Sequence, residues 1–119
     1  MHKQGKVWGT TQCLFSTNNV EIHRIETIES AYCSKHKHNS KYNAFYVESG
    51  SLVVKTWKGD YPLVDTTTVK AGEMTVVKPG EYHMFYAPEE TVAFEIYWAD
   101  SVPEDIVRET CGGRGFPWK

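Results

Sequence analysis

Apolar and polar residues alternate with period two along most of this chain. Val20-Glu21-Ile22-His23-Arg24-Ile25 opens as such a strand, just after an Asn18-Asn19 turn. Residues 44–48, 51–57, 74–77, 83–86 and 91–98 are short runs rich in β-branched and aromatic side chains, which suit a pleated, half-buried surface. Ser49-Gly50, Lys58-Gly59-Asp60, Ala71-Gly72, Lys78-Pro79-Gly80 and Pro88-Glu89-Glu90 separate the runs, and each supplies turn-forming residues. Short strands at this spacing predict an all-β sandwich or barrel of antiparallel sheets. One segment has a different pattern. Over 103–109 a Pro near the start, acids in the first turn and Gly112-Gly113 beyond the end predict a short C-terminal helix. No linker or repeat interrupts the pattern. A single domain over 1–119 is expected, with its barrel core over about 7–99, the helix over 103–109 and a mobile tail over 112–119.

Composition narrows the function classes. A chain of 119 residues with 40% hydrophobic and 13% aromatic residues can bury a core of its own, so disorder is excluded. The net charge of −2 gives no electrostatic attraction for nucleic acid or an anionic membrane. No apolar run approaches the roughly 20 residues of a membrane helix. Met1-His2-Lys3-Gln4-Gly5-Lys6 is not followed by an apolar signal core, which predicts a cytoplasmic protein. Cys13, Cys33 and Cys111 are an odd set without metal-type pair spacing and read as reduced thiols.

The candidate chemistry lies in the histidines. His36 and His38 are separated by one residue, so on a strand they face the same way, and Lys37 faces the other. His83 follows a Pro79-Gly80 turn much later and is expected on a strand across the barrel. Three imidazoles of this kind suit Zn, Mn, Fe or Ni, with open positions left for water or substrate. His2 and His23 have no partner at ligand spacing and read as surface residues.

The spacing resembles the two motifs of the cupin superfamily, G-x5-H-x-H-x3,4-E-x6-G and G-x5-P-x-G-x2-H-x3-N. The first runs here from Ser30 through His36, His38 and Asn43 to Gly50, and the second from Gly72 through Lys78, Gly80 and His83 to Ala87. Ser30 stands for Gly, Asn43 for Glu, Lys78 for Pro and Ala87 for Asn. The resemblance implies a jelly-roll barrel of two antiparallel sheets and a divalent metal held by His36, His38, His83 and the Asn43 position. A narrower resemblance is to the cupin domain of type II mannose-6-phosphate isomerases. It is carried by Val7-Trp8-Gly9, Arg24-Ile25, Ser34 with His36 and His38, Lys41, and Pro103-Glu104-Asp105-Ile106-Val107-Arg108. Asn43 again replaces that family's Glu, and Met84 stands where it usually has Arg.

At Asn43 the family's anion is missing. A neutral amide either binds a hard metal through its oxygen or hydrogen-bonds a metal-bound water, and in both cases the metal is left more electrophilic. The isomerase resemblance implies a small sugar or sugar phosphate as ligand, a metal that polarises its carbonyl, a base and a cation for phosphate. Glu95 is the general-base candidate, provided its face of the last long strand turns inward. Lys41 and Lys78 are the phosphate candidates, and Tyr82, Tyr86 and Tyr97 the candidates for sugar hydroxyls. Two other readings stay open. Three histidines without a carboxylate also resemble the shell of Fe(II) thiol dioxygenases, and a barrel that kept its pocket without chemistry would be a carbohydrate-binding or sensing module. Exposed strand edges and many aromatics suggest a homodimer.

Overall fold

The computed structural model describes residues 2–59, 63–99 and 105–115. Among the described residues ten strands follow one another: β1 (Lys3–Lys6), β2 (Gly9–Ser16), β3 (Val20–Thr27), β4 (Ala31–Tyr32), β5 (Tyr42–Ser49), β6 (Ser51–Trp57), β7 (Val64–Lys70), β8 (Met74–Val77), β9 (Tyr82–Ala87) and β10 (Thr91–Trp98). They form two antiparallel sheets, a six-stranded one in the order β1-β2-β3-β10-β5-β8 and a four-stranded one in the order β4-β9-β6-β7. This is the all-β, two-sheet architecture that the alternation predicts. β1, β2 and β7 carry no clear apolar alternation. β7 is the Thr-rich edge of the smaller sheet, and Val69 is its one buried residue.

The inner faces of the two sheets make the core. Ile25, Phe45, Val47 and Ala93 from the larger sheet meet Leu52, Val54, Val69, Phe85 and Ala87 from the smaller one. Trp8, in the turn between β1 and β2, closes the barrel edge-on against Phe85 at 5.1 Å, and Phe45 meets Phe85 at 5.9 Å. Edge-to-face contact suits the aromatic quadrupole and adds to the area buried.

Strand register sorts the inner face by chemistry. At one end Thr27 pairs Thr91, and the next inward row is Ile25, Ala93 and Val47. A step further along stand His23, Glu95 and Phe45, and at the rim Glu21, Tyr97 and Asn43. The barrel therefore runs from an apolar floor to a polar mouth.

Two backbone positions explain how the first motif folds. Gly50 turns β5 into β6 at φ +86°, where an added Cβ would lie 2.4 Å from the Glu90 carbonyl oxygen. Ser30 occupies the other end at φ 66°, the left-handed region that glycine tolerates. Ser30 thus adopts a conformation that suits the Gly of the motif it resembles.

The helix expected over 103–109 is not present among the described residues. Residues 105–109 are irregular and exposed, and 103–104 lie outside the described part. Ile106 and Val107 are 60% and 95% exposed, so the segment has no apolar surface to dock on. A single turn without tertiary packing does not repay helix nucleation.

Candidate metal centre

His36 and His38 do not lie on a regular strand. The chain leaves β4 along the edge of β9, where the Cys33 N–H donates to the Phe85 carbonyl at 3.1 Å. His36 then exchanges backbone hydrogen bonds with His83 at 3.0 and 2.8 Å. Between these two points the segment has one residue more than β9, and the surplus is taken up as a bulge at Ser34-Lys35. Bulges re-aim side chains. Cys33 and His36 differ by an odd number of residues, yet both turn to the interior and line one cavity. His83 is the neighbour of His36 within the same sheet, which corrects the expected position across the barrel. The residue that faces them from across the barrel is Asn43, on β5.

The three rings converge. Their centroids lie 4.5 Å (His36–His83), 5.2 Å (His36–His38) and 5.4 Å (His38–His83) apart. One nitrogen from each falls within 4.8 Å of the others. The His36 ring donates from Nδ1–H to the Ser34 carbonyl at 2.7 Å, which leaves its Nε2 lone pair free, and His83 Nδ1 lies 3.0 Å from the Glu81 carbonyl. His38 Nε2 is the one buried side-chain N or O atom among the described residues without a hydrogen-bond partner.

A metal fits this arrangement better than the protein alone does. Asn43 is 1% exposed, and its Nδ2 donates to the Ala44 carbonyl, which turns Oδ1 onto His83 Nε2 at 3.2 Å. A neutral His83 ring can donate to Glu81 or to Asn43, and the other contact then sets two acceptors against each other. Imidazolium would satisfy both, but burial lowers the His83 pKa. Burial, reinforced by Lys41, His36 and His83, pushes His38 down to about 4. A cation bound at the three Nε2 atoms relieves the orphaned nitrogen and the acceptor clash together. His36, His38 and His83 are therefore the residues that could hold a divalent metal, with the Asn43 oxygen beside them.

A cavity of about 500 Å³ opens next to the cluster, lined in part by His36, Cys33, His23, Glu95 and Tyr97. Glu95 is 8% exposed and faces inward from β10. Burial raises its pKa, opposed by the Tyr97 hydroxyl, which donates to Glu95 Oε2 at 2.5 Å, and by the charges of His23, His36 and Lys41. Burial and the Glu95 carboxylate raise Tyr97 in turn, so its proton stays on the phenol. Burial also pushes the Cys33 thiol up to about 11, which keeps it neutral.

The remaining candidates divide. Lys41 Nζ sits 4.3 Å over the Tyr97 ring, at the mouth. Lys78 is exposed in the β8–β9 turn and is not among the residues lining the cavity. Tyr82 and Tyr86 have the opposite parity to His83 and Phe85 on β9 and lie on the outer face, 44% and 37% exposed. Lys37 also turns outward, 4.9 Å from the Tyr82 ring. His23 is not a surface residue. It faces inward opposite Glu95, because Ile25 and Thr27, which share its parity, are the core residues of β3. Val20 and Ile22 concealed this in the sequence, since an apolar residue stands on both parities.

Solved structures of similar shape place the fold among the cupins. KdgF from Halomonas sp. superposes with a TM-score of 0.72 at 14% identity, over 85% of this chain and 90% of that one. An RmlC-like cupin from Shewanella frigidimarina gives 0.71 at 17%, over 83% and 84%. CapF, a capsular polysaccharide assembling protein from Staphylococcus aureus, gives 0.71 at 17%, over 82% of this chain and 27% of its own. No family model and no curated protein sequence matches the chain. At these identities the likeness establishes the fold, and function has to be argued from the site.

Proposed function

We propose that this protein is a metal-dependent cupin that acts on, or recognises, a small sugar or sugar phosphate. The observation that carries this reading is the convergence of three imidazole nitrogens beside a cavity that also holds an inward carboxyl, Glu95. A divalent ion held there supplies a Lewis acid that polarises a carbonyl. The chain's own residues do the rest. Glu95 has its pKa raised by burial and is the group that takes and returns a proton at a carbon beside that carbonyl. Tyr97 donates to Glu95, orients the carboxyl and presents its ring to the cavity. Lys41, over Tyr97, is the cation positioned for a phosphate at the mouth. Lys78 remains a second, outlying phosphate contact in this reading. The similarity in shape to a capsular polysaccharide assembling protein supports a sugar-related ligand. The test is conversion of mannose-6-phosphate to fructose-6-phosphate by zinc- or manganese-loaded protein. Turnover that disappears in Glu95→Gln supports the reading, and sugar binding without turnover points to a sensing module.

One observation favours a second reading. The Asn43 side chain is neutral, so the four donors carry no negative charge. Such a shell is similar to that of Fe(II) dioxygenases with three histidines. Oxygen uptake on a small thiol by iron-loaded protein would favour it over the isomerase. A homodimer belongs to either reading and is checked by light scattering on the purified chain.

A further inference from the structure

We propose a second divalent-cation site, formed by Cys13, Glu21 and His23, that takes a thiophilic ion of the zinc class. One ligand atom from each residue, the thiol sulfur, a carboxylate oxygen and an imidazole nitrogen, lies within 4.8 Å of the others. None of the three belongs to the three-histidine cluster.

The strands build this arrangement. Glu21 and His23 are two apart on β3 and share its inward face. Cys13 on β2 pairs directly with His23, and the register then slips by one residue before Phe15. Leu14 is the extra residue and is 38% exposed. The bulge bends β2 beside Cys13, the kind of local kink that re-aims a side chain. All three residues are half-buried, and His23 is braced by an edge-on contact with Tyr97 at 5.7 Å. The Glu21–His23 pair at 3.1 Å accounts for two of the groups without a metal. The Cys13 thiol donates to the Phe15 carbonyl at 3.6 Å, a weak sulfur hydrogen bond that a metal can displace.

Donor chemistry separates the two sites. Three imidazoles and an amide leave a dication's charge uncompensated. A thiolate and a carboxylate cancel it, and sulfur selects zinc-like ions over harder ones. Three protein ligands leave a fourth position open, and His23 also lines the cavity that holds Glu95. On binding, the Cys13 thiol proton goes to solvent. The imidazole proton that His23 Nε2 shares with Glu21 moves to Nδ1, which frees Nε2 for the ion.

The test is titration of the full chain with Co²⁺, followed by the sulfur-to-cobalt charge-transfer absorption in the near ultraviolet, which imidazole ligands do not give. Wild-type protein is expected to develop this band, and His38→Ala to keep it. Cys13→Ser should lose it, and Glu21→Gln should weaken cobalt binding at the band by more than the roughly 10–100-fold that loss of a residue that only orients a ligand costs. Mass-spectrometric mapping of alkylated wild-type protein needs no variant, and Zn²⁺ should protect Cys13 in it. Absence of the band from wild-type protein, its persistence in Cys13→Ser, or alkylation of Cys13 at the same rate with and without Zn²⁺ would overturn the proposal.

Discussion

His38 and Asn43 are where single residues decide most. His38 Nε2 has no hydrogen-bond partner among the described residues, so in the Cys13→Ser background His38→Ala should remove most bound metal while the barrel persists; elemental analysis beside circular dichroism separates the two effects. Asn43→Asp restores an anion at nearly constant volume in a fully buried position. It should tighten metal binding by about tenfold, near 1.4 kcal/mol, measured by chelator competition. The pH dependence of the metal-free protein follows from His38. Its folded pKa of about 4 lies below the ordinary 6.5, so the unfolded chain binds the proton more readily. Stability is present in full above 6.5 and is lost as pH falls from there through about 4. Denaturant midpoints for metal-free protein across that window should therefore decline, and a flat profile would mean the ring is solvated. Ser30 carries the cost of a left-handed backbone, so Ser30→Gly should stabilise by roughly 0.5–1 kcal/mol in a denaturant titration.

At the scale of elements, the bulge at Ser34-Lys35 controls the site. It converts an odd offset between Cys33 and His36 into a shared inward direction. Deleting Lys35 leaves Cys33 and His36 two apart, so plain pairing with β9 should keep His36 opposite His83 and both cysteine and histidine inward. Metal affinity should then be retained, and its loss would show that the bulge sets more of the site than strand direction. This is also where the sequence was least informative. Period two placed β6, β8, β9 and β10 well, because their fully buried apolar positions lie on one face; β5 was also legible although Ala44 and Phe45, on opposite faces, are both buried. It could not show a bulge, since an extra residue leaves no mark in residue type. The same blindness hid the Leu14 bulge on β2, while the inward direction of His23 was hidden by the apolar residues on both parities of β3. The segment at 103–109 failed differently. Its capping pattern is genuine, but a helix that short needs a surface to pack on, and no local pattern reports whether one exists.

For the molecule as a whole, the gradient from apolar floor to polar mouth gathers the candidate site at one end of the sandwich. Core residues at the floor hold the sheets at a fixed spacing, and that spacing lets Asn43 on one sheet reach His83 on the other at 3.2 Å. Phe85→Ala would remove the ring that contacts both Trp8 and Phe45 and should cost about 3–5 kcal/mol in a denaturant titration. The proposed function rests on three imidazoles able to share one ion. The most direct measurement is X-ray absorption spectroscopy of the zinc-loaded Cys13→Ser protein, in which sulfur ligation by that thiol is removed. The expected result is a zinc ion with three imidazole nitrogens at about 2.0–2.1 Å. A spectrum with one imidazole or none, or a protein that retains no zinc after gel filtration, would contradict the account.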